Sequence, residues 1–330
     1  MVSSGGHDVF CAGMYRACST WQYEVAAHLL EEHHDGRRLG YLASGLYTAL
    51  SKQDRPREST SRVIKSHEGE PAMAQALCSG RAKALYAHRD IRDVVFSLMH
   101  KRGKTFEEIL RQGMIHQILA NDRFWMAQPN VLVQRYDDLI SQPAHGVTEL
   151  ADHLGLKLQD GEAERIAALY SQESNRARTE ALKQRLEQAG VDLESAGNTQ
   201  ICDPSSLLHW NHMRQHGAAS WRTTATPRQI AILHGLCGPW LKARGYALEA
   251  MPAPDREHKP VGLREWAKCQ IDIAVGLLNY QVRMMSVRFP QAARTAKRIL
   301  GMPVDANAGA TVWADPVPGK SSAVASNEAA

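Results

Sequence analysis

The sequence has neither a long apolar segment nor paired cysteines. No run reaches the roughly 18 consecutive apolar residues that a membrane-spanning helix requires, so no such helix is expected. The 6 cysteines are scattered and form no C-x-x-C pair, which argues against a zinc site or a disulfide framework and favours reduced thiols. The first residues show no basic segment followed by an apolar one. We therefore expect no signal peptide and a cytoplasmic protein.

The sequence also lacks a strong excess of either charge. Its net charge is +4 with the histidines neutral, and 22% of its residues are charged. Nucleic-acid binding would need a clustered basic patch, so we expect no nucleic-acid partner. The mild positive balance is compatible with a small anionic ligand.

Short, near-continuous apolar runs alternate with helical patterns in the first part of the chain. Strands that are buried on both faces of a parallel sheet have this character. The alternation predicts a three-layer α/β/α fold with a central parallel sheet. The predicted strands are 7–13, 61–66, 82–88 and 130–136, and the predicted helices are 19–33, about 41–51, 91–101 and 105–127.

The second part of the chain is helical around one long loop. Residues 144–190 show helical spacing of apolar residues, and Thr226-Pro227 is a start signal for a helix over 227–243. Between them, 191–226 lack periodicity, and long loops of this kind are usually functional. We divide the chain into an α/β domain, a helical extension and a disordered tail: 1–258, 259–303 and 304–330.

The segment "AGMYRACSTW" carries the first predicted strand into the first predicted helix. The backbone N–H groups of Cys18, Ser19 and Thr20 could hold a phosphate at the helix N-terminus, with Arg16 as the cation. The segment is not G-x-x-x-x-G-K-[ST], because it has no second glycine and no lysine before the hydroxyl pair. Ser19 or Thr20 acting only as a helix cap is the alternative.

Two further motifs follow predicted strands. In "HRDIRDVVFSLMH", Arg89, Asp93 and Ser97 stand at i, i+4 and i+8, so they share a helical face and could form a second anion site. An Arg89–Asp93 ion pair on a solvated surface is the alternative. In "VIKSHEG", Lys65 and His67 point to the same side at a strand end, where they could supply a cation and a base. A hydrogen-bonded structural histidine is the alternative there, and the neighbouring glutamate is a rival base.

Two more segments carry groups that suit a nucleotide. Tyr136, in "VLVQRYDDL", could stack on an aromatic base, or it could belong to an ordinary strand-to-helix turn. The basic segment "HWNHMRQHGAASWRTT" contains Arg214, His216 and Gly217 and could fold over a bound anion. A disordered basic loop is the alternative.

Taken together, these segments resemble the PAPS-dependent sulfotransferase family over residues 7–247. The family's loop Y-P-K-S-G-T-T-W corresponds to 14–21, and its K-T-H-x-P corresponds to Lys65-Ser66-His67. Its R-x-x-x-D-x-x-x-S element is matched fully by Arg89, Asp93 and Ser97, and its Y-x-D-L by 136–139. Its late R-K-G-x-x-G-x-W loop is matched loosely by 214–221.

The resemblance implies a P-loop-NTPase-like fold and sulfuryl transfer from PAPS to a hydroxyl or amine, with PAP as product and no metal. It implies His67 as base, with Lys65 and Arg16 stabilising charge on the transferred group. The implied nucleotide-binding residues are Arg16, Ala17, Cys18, Ser19, Thr20, Trp21, Arg89, Ser97, Tyr136, Arg214, His216 and Gly217.

The chain departs from the family pattern at several points. Cys18 replaces the loop glycine, so any positive φ there must be adopted by a residue with a Cβ. Arg16 replaces the usual lysine, and the late loop is one residue short before its tryptophan. Two alternatives therefore stay open: a P-loop kinase or phosphotransferase, which would need a Walker lysine and Mg²⁺, and a non-catalytic nucleotide-binding protein. The nearest metal-like segment, "HLLEEHHDG", is better explained as a polar helix end.

The acceptor and the role of the C-terminal extension are less defined. We expect a small-molecule or glycan acceptor, with a saccharide or glycolipid as one class, bound by 105–127, 144–200 and the late loop. Over 262–300 an apolar face precedes basic residues, which suits peripheral contact with an anionic membrane. Packing on the domain or on a second subunit of a homodimer is the favoured alternative.

Overall fold

The computed structural model describes residues 6–53, 60–195, 201–211, 220–248 and 263–289, with the isolated positions Ala292 and Thr295. Five strands form one sheet in the order β2-β3-β1-β4-β5, and every neighbouring pair is parallel. The strands are β1 (Asp8–Gly13), β2 (Asp35–Tyr41), β3 (Thr60–Lys65), β4 (Ala82–His88) and β5 (Val131–Arg135). The predicted α/β fold with a central parallel sheet is confirmed.

Helices cover both faces of the sheet. They are α1 (Ser19–His33), α2 (Leu46–Gln53), α3 (Pro71–Cys78), α4 (Ile91–Arg102), α5 (Phe106–Arg111), α6 (Met114–Met126), α7 (Tyr136–Ser141), α8 (Pro143–Leu154), α9 (Glu162–Leu169), α10 (Gln172–Gln188), α11 (Trp221–Thr224), α12 (Pro227–Ala243) and α13 (Leu263–Arg288). The predicted start of α12 is present, since Thr226 forms a capping box with Gln229.

The central strand β1 explains the two-sided core. Its residues are fully buried, and successive side chains point to opposite faces. Phe10 and Ala12 pack with α4, α5, α6 and α12, while Val9 and Cys11 pack with α1, α8 and α9. An apolar run therefore fits here, whereas an alternating pattern would leave polar groups in one of the two cores.

Two local predictions differ from the structure. β2 has no apolar run, because it is an edge strand whose side chains are largely part-exposed, and the helix predicted from about 41 begins instead at Leu46. The helix predicted over 105–127 is broken into α5 and α6 at Gly113, which has φ 68°. A Cβ on Gly113 would collide with the backbone of Gly276 in α13, so this glycine also permits the close approach of the C-terminal helix.

The helix α13 lies against α5 and α6. Gly276 faces the backbone of Leu110, and Asp272 is buried beside Arg111. Among the described residues, no helix combines the length and apolarity needed to cross a bilayer. The predicted tail, 304–330, lies outside the described residues, as does most of the basic stretch after 289.

Candidate functional site

The turn between β1 and α1 has an unusual backbone. Arg16 and Cys18 have φ values of 63° and 69°, a left-handed conformation that favours glycine. Cys18 is the N-cap residue of α1, and no described side chain caps the helix. The alternative that Ser19 or Thr20 serves as a cap is therefore wrong, and the first backbone N–H groups of α1 keep no intrahelical partner. Backbone strain of this kind is concentrated at ligand-binding sites.

Lys65 connects β3 to this turn. Its ammonium group is buried and donates a hydrogen bond to the Thr20 hydroxyl at the start of α1. Burial lowers the pKa of Lys65 to about 8, and Arg16 pushes the pKa in the same direction. The pairing of β1 with β3 sets this contact, because it brings the ends of the two strands side by side.

His67 lies just beyond Lys65 and is held in one orientation. Its Nδ1 is 2.8 Å from the carbonyl oxygen of Gly13, and Trp125 donates to the His67 carbonyl at 3.1 Å. Since a carbonyl only accepts, Nδ1 carries the hydrogen and Nε2 keeps its lone pair. Burial, and then Lys65, lower the pKa of His67 to about 3. The ring is therefore neutral and has a fixed tautomer.

Glu68, the rival base, is engaged by other side chains. It accepts hydrogen bonds from Gln117 at 2.7 Å, from Tyr15 at 2.9 Å and from Tyr41 at 3.3 Å. The Tyr15 and Tyr41 rings stand 4.3 and 6.0 Å from the His67 ring. Glu68 therefore organises the aromatic surroundings of His67.

The C-terminal helix reaches the same network. Arg283 of α13 donates to the Gln117 side chain, and a second guanidinium nitrogen donates to the Gln112 carbonyl at 2.7 Å. Gln117 in turn donates to the Tyr15 hydroxyl at 3.2 Å. Sequence reasoning missed Tyr15, Tyr41, Gln117 and Arg283, because they come from separate elements and carry no common spacing.

The two predicted anion-binding motifs meet in the structure. Arg16 Nε donates to Ser97 Oγ at 3.0 Å, and Arg89 Nη1 donates to the Arg16 carbonyl at 3.3 Å. Arg89 Nη2 lies 3.5 Å from Asp93 Oδ2. The Arg89 guanidinium stacks over the Tyr136 ring, with its central carbon 4.1 Å from the ring centroid. The alternative is an Arg89–Asp93 ion pair on a solvated surface. The pair is present, but it is not at the surface, since Arg89 is only 7% exposed.

The end of the late loop lies beside this pair. Ser220 Oγ and the Trp221 backbone N–H each donate to Asp93 Oδ1 at 3.1 Å, and Arg92 stacks over the Trp221 ring at 3.9 Å. Arg214, His216 and Gly217 lie outside the described residues. Trp21 is part-buried and packs against the cores on both faces of the sheet.

Positive charge is concentrated around the turn. Burial lowers the pKa of Lys101 to about 7, and the cations Arg16, Lys65 and Arg102 push it further in that direction. Lys101 continues the i, i+4, i+8 series of Arg89, Asp93 and Ser97 by one more turn of α4, a signal that sequence reasoning missed. Each of these cations lowers the pKa of its neighbours. An anionic ligand bound between them would therefore be stabilised.

The metal-like segment proves to be part of a cluster at the far end of α1. Ligand atoms of Glu32, His33 and Glu162 lie within 4.8 Å of one another. Arg165 forms an ion pair with Glu32 at 2.7 Å, and His33 Nε2 is hydrogen-bonded to Glu162 Oε1 at 2.6 Å. The length of α1 separates this cluster from the turn between β1 and α1 by about 20 Å.

The comparisons with known proteins cover the part of the chain that contains these residues. The family model described as "Sulfotransferase domain" matches residues 7–245. The structure of mouse sulfotransferase SULT7A1 complexed with PAP aligns with a TM-score of 0.52 and 16% identity, covering 72% of this chain and 84% of that chain. Retinol dehydratase in complex with androsterone and inactive cofactor PAP aligns with a TM-score of 0.47 and 18% identity, covering 71% and 80% of the two chains.

No curated protein sequence matches the chain significantly. The family model nevertheless spans more than half of the chain and includes β1, the turn, Lys65, His67, Arg89 and Ser97. The chain therefore belongs to the sulfotransferase family.

Proposed function

We propose that this protein transfers the sulfuryl group of PAPS to a hydroxyl or amine of a small acceptor, with His67 as the base. The observation that carries the proposal is the direct contact between the two anion-binding motifs. Arg16 bonds Ser97, and Arg89 bonds the Arg16 backbone. One nucleotide could therefore engage the turn with its 5′-phosphosulfate and the Arg89–Ser97 region with its 3′-phosphate.

On the 5′ side, the turn offers several donors to an anion. The backbone N–H groups of Cys18, Ser19 and Thr20 lie at the start of α1, where the helix dipole favours negative charge. Lys65 and Lys101 add cations whose lowered pKa values would rise again as an anion binds. These residues fit the charge of PAPS, and Arg16 Nε is fixed by Ser97 so that its guanidinium is preorganised.

On the 3′ side, we assign the second phosphate to Arg89 and Ser97, with Arg214, His216 and Gly217 of the late loop completing it. Asp93 orients Arg89 and also holds the Ser220–Trp221 end of that loop. We assign the adenine to Tyr136 and Trp21, since aromatic faces suit a purine.

In the reaction, His67 takes the proton of the acceptor. Its Nδ1–H is held by the Gly13 carbonyl, so Nε2 is the atom that receives the proton. A neighbouring anionic donor would raise the pKa of His67 above its value of about 3 in the free protein. Lys65 and Arg16 stabilise the negative charge that develops on the sulfuryl oxygens and the leaving phosphate. These cations suffice for the charge, so we propose transfer that needs no metal.

The acceptor is proposed to lie against Tyr15 and Tyr41, whose rings flank His67. Aromatic faces next to a base suit a sugar ring or a phenol, with Glu68 fixing both tyrosine hydroxyls. A saccharide, a glycolipid headgroup and a phenol are the acceptor classes to compare.

A screen with sulfur-labelled PAPS tests the proposal. We expect label to pass from PAPS to at least one acceptor class, and to persist with a chelator. Binding of PAP without transfer to any class would favour a non-catalytic nucleotide-binding protein. Turnover of ATP that depends on Mg²⁺, without transfer from PAPS, would favour a P-loop kinase.

A further inference from the structure

The helix α13 presents an apolar stripe to solvent. Six large side chains along one line of the helix are exposed, from 36% at Val275 to 62% at Leu278. The stripe consists of Ile271, Val275, Leu278, Val282, Met285 and Phe289. Single exposed apolar residues are common, but a contiguous apolar stripe marks an interaction surface.

The opposite face of α13 is already occupied. Cys269 and Asp272 are buried, and Gly276 approaches the backbone of Leu110 closely. Asn279 Nδ2 donates to the Arg111 carbonyl at 2.7 Å, and Arg283 donates to Gln112. These contacts fix the rotation of the helix, so the stripe cannot turn inward to complete the core of its own domain.

The spacing of the stripe identifies its partner. Successive members are separated by 4, 3, 4, 3 and 4 residues, which is the heptad pattern of a coiled coil. Ala292 is exposed and helical at the next position of the same series. In this register the a positions hold Val275, Val282 and Phe289, and the d positions hold Ile271, Leu278 and Met285. β-Branched residues at a with leucine at d favour two strands.

The flanks of the stripe argue against a lipid surface. A helix that lies on an anionic bilayer carries lysine and arginine along the edges of its apolar face. Here the positions beside the middle of the stripe are Ala274, Asn279, Gln281 and Ser286, none of them charged. Cations stand only near the two ends of the described stripe, where Lys268 precedes Ile271 by one turn and Arg288 adjoins Phe289.

We propose that α13 pairs along this stripe with α13 of a second copy of the chain, as a short two-stranded coiled coil. The pairing rests on the geometry of α13 alone and does not depend on the proposed reaction. Because Arg283 of the same helix contacts Gln117 in the network around His67, the pair would hold a structural support of that network in place.

The test is the mass of the full-length chain in solution. Sedimentation equilibrium at micromolar concentration should give twice the chain mass for the wild type and one chain mass for the double variant Leu278→Glu, Val282→Glu. The matched control is Leu169→Glu, since Leu169 is 47% exposed on α9, away from the stripe. The control should remain a dimer, and a cooperative thermal transition with an unchanged circular dichroism spectrum should show that each variant is folded.

Three results would overturn the proposal. The first is a monomeric wild type across the micromolar range, and the second is a dimer that survives the double substitution. The third is a monomeric wild type that floats with vesicles of phosphatidylcholine and phosphatidylserine while the double variant does not float. That result would assign the stripe to lipid. A folded, monomeric double variant beside a dimeric control supports the pairing.

Discussion

The two sides of the site are built differently. The proposed donor side, formed by the turn at 16–20 with Arg89 and Ser97, uses segments that follow strands β1 and β4. The proposed acceptor side, formed by Tyr15, Tyr41, Glu68 and Gln117, draws on four separate segments and is supported by Arg283 from α13. The proposed anion-binding residues are therefore placed by local backbone geometry, whereas the surroundings of His67 depend on how distant elements pack.

The largest expected effect comes from a change at His67, which lies between the proposed donor and acceptor sides. We expect His67→Ala to lower kcat by about 10² to 10⁴, because it removes the proposed general base. The affinity for PAP should stay nearly constant, since His67 bonds the Gly13 carbonyl and not the donor loop N–H groups. Steady-state kinetics with calorimetric PAP titration would check both values. Unchanged turnover would move the base elsewhere.

The next prediction concerns the donor side alone. Arg89→Ala should weaken the binding of PAP by about 10- to 100-fold, the value of a hydrogen bond to a charged group. Binding of adenosine 5′-phosphate, which lacks the 3′-phosphate, should change much less. Titration of both nucleotides into one variant provides its own control. Equal losses for the two ligands would contradict the assignment of Arg89 to the 3′-phosphate.

The donor side could be predicted because its residues are close in sequence to the strands that place them. Arg89, Asp93 and Ser97 share a helical face by spacing alone. The acceptor side could not, because Tyr41 ends an edge strand with no apolar run and Gln117 lies in a helix whose start depends on Gly113. Arg283 reaches Gln117 only because two glycines let α13 approach closely. Such a contact has no signature in a single sequence.

A pH profile would test the charge of the donor side. Lys65 has a pKa lowered to about 8, so its ammonium is charged below that pH and neutral above it. We expect kcat/KM for PAPS to fall by up to tenfold per pH unit above about 8, since this parameter reports the free enzyme. Lys65→Arg should remove the fall in kcat/KM near pH 8, because a guanidinium stays charged, whereas Lys101, with a pKa of about 7, would contribute a separate fall at lower pH. A fall near pH 8 that persists in this variant would assign it to another group.

The acceptor side should respond to a distant change on α13. Arg283→Met keeps the aliphatic stem and removes the donor to Gln117, so the Tyr15–Glu68 network loses a support. We expect KM for the acceptor to rise by about 3- to 10-fold, the value of a neutral hydrogen bond, with the PAP affinity constant. Arg288→Met is the matched control, since Arg288 is exposed on the same helix. Equal effects of the two variants, or a loss of PAP affinity, would contradict the coupling.

The smallest expected effect concerns the backbone strain at Cys18. Cys18 holds φ 69° with a Cβ, and a left-handed conformation costs a residue other than glycine about 1–2 kcal/mol. Cys18→Gly relieves this cost in the folded state but gains chain freedom in the unfolded state, which offsets part of it. We therefore expect a net stabilisation of up to about 1 kcal/mol, measured by urea unfolding. Cys78→Gly is the control for the unfolded-state effect, because the exposed Cys78 ends helix α3 and has no positive φ. It should destabilise the protein, so a loss of stability in both variants would show that the turn stores no strain at Cys18.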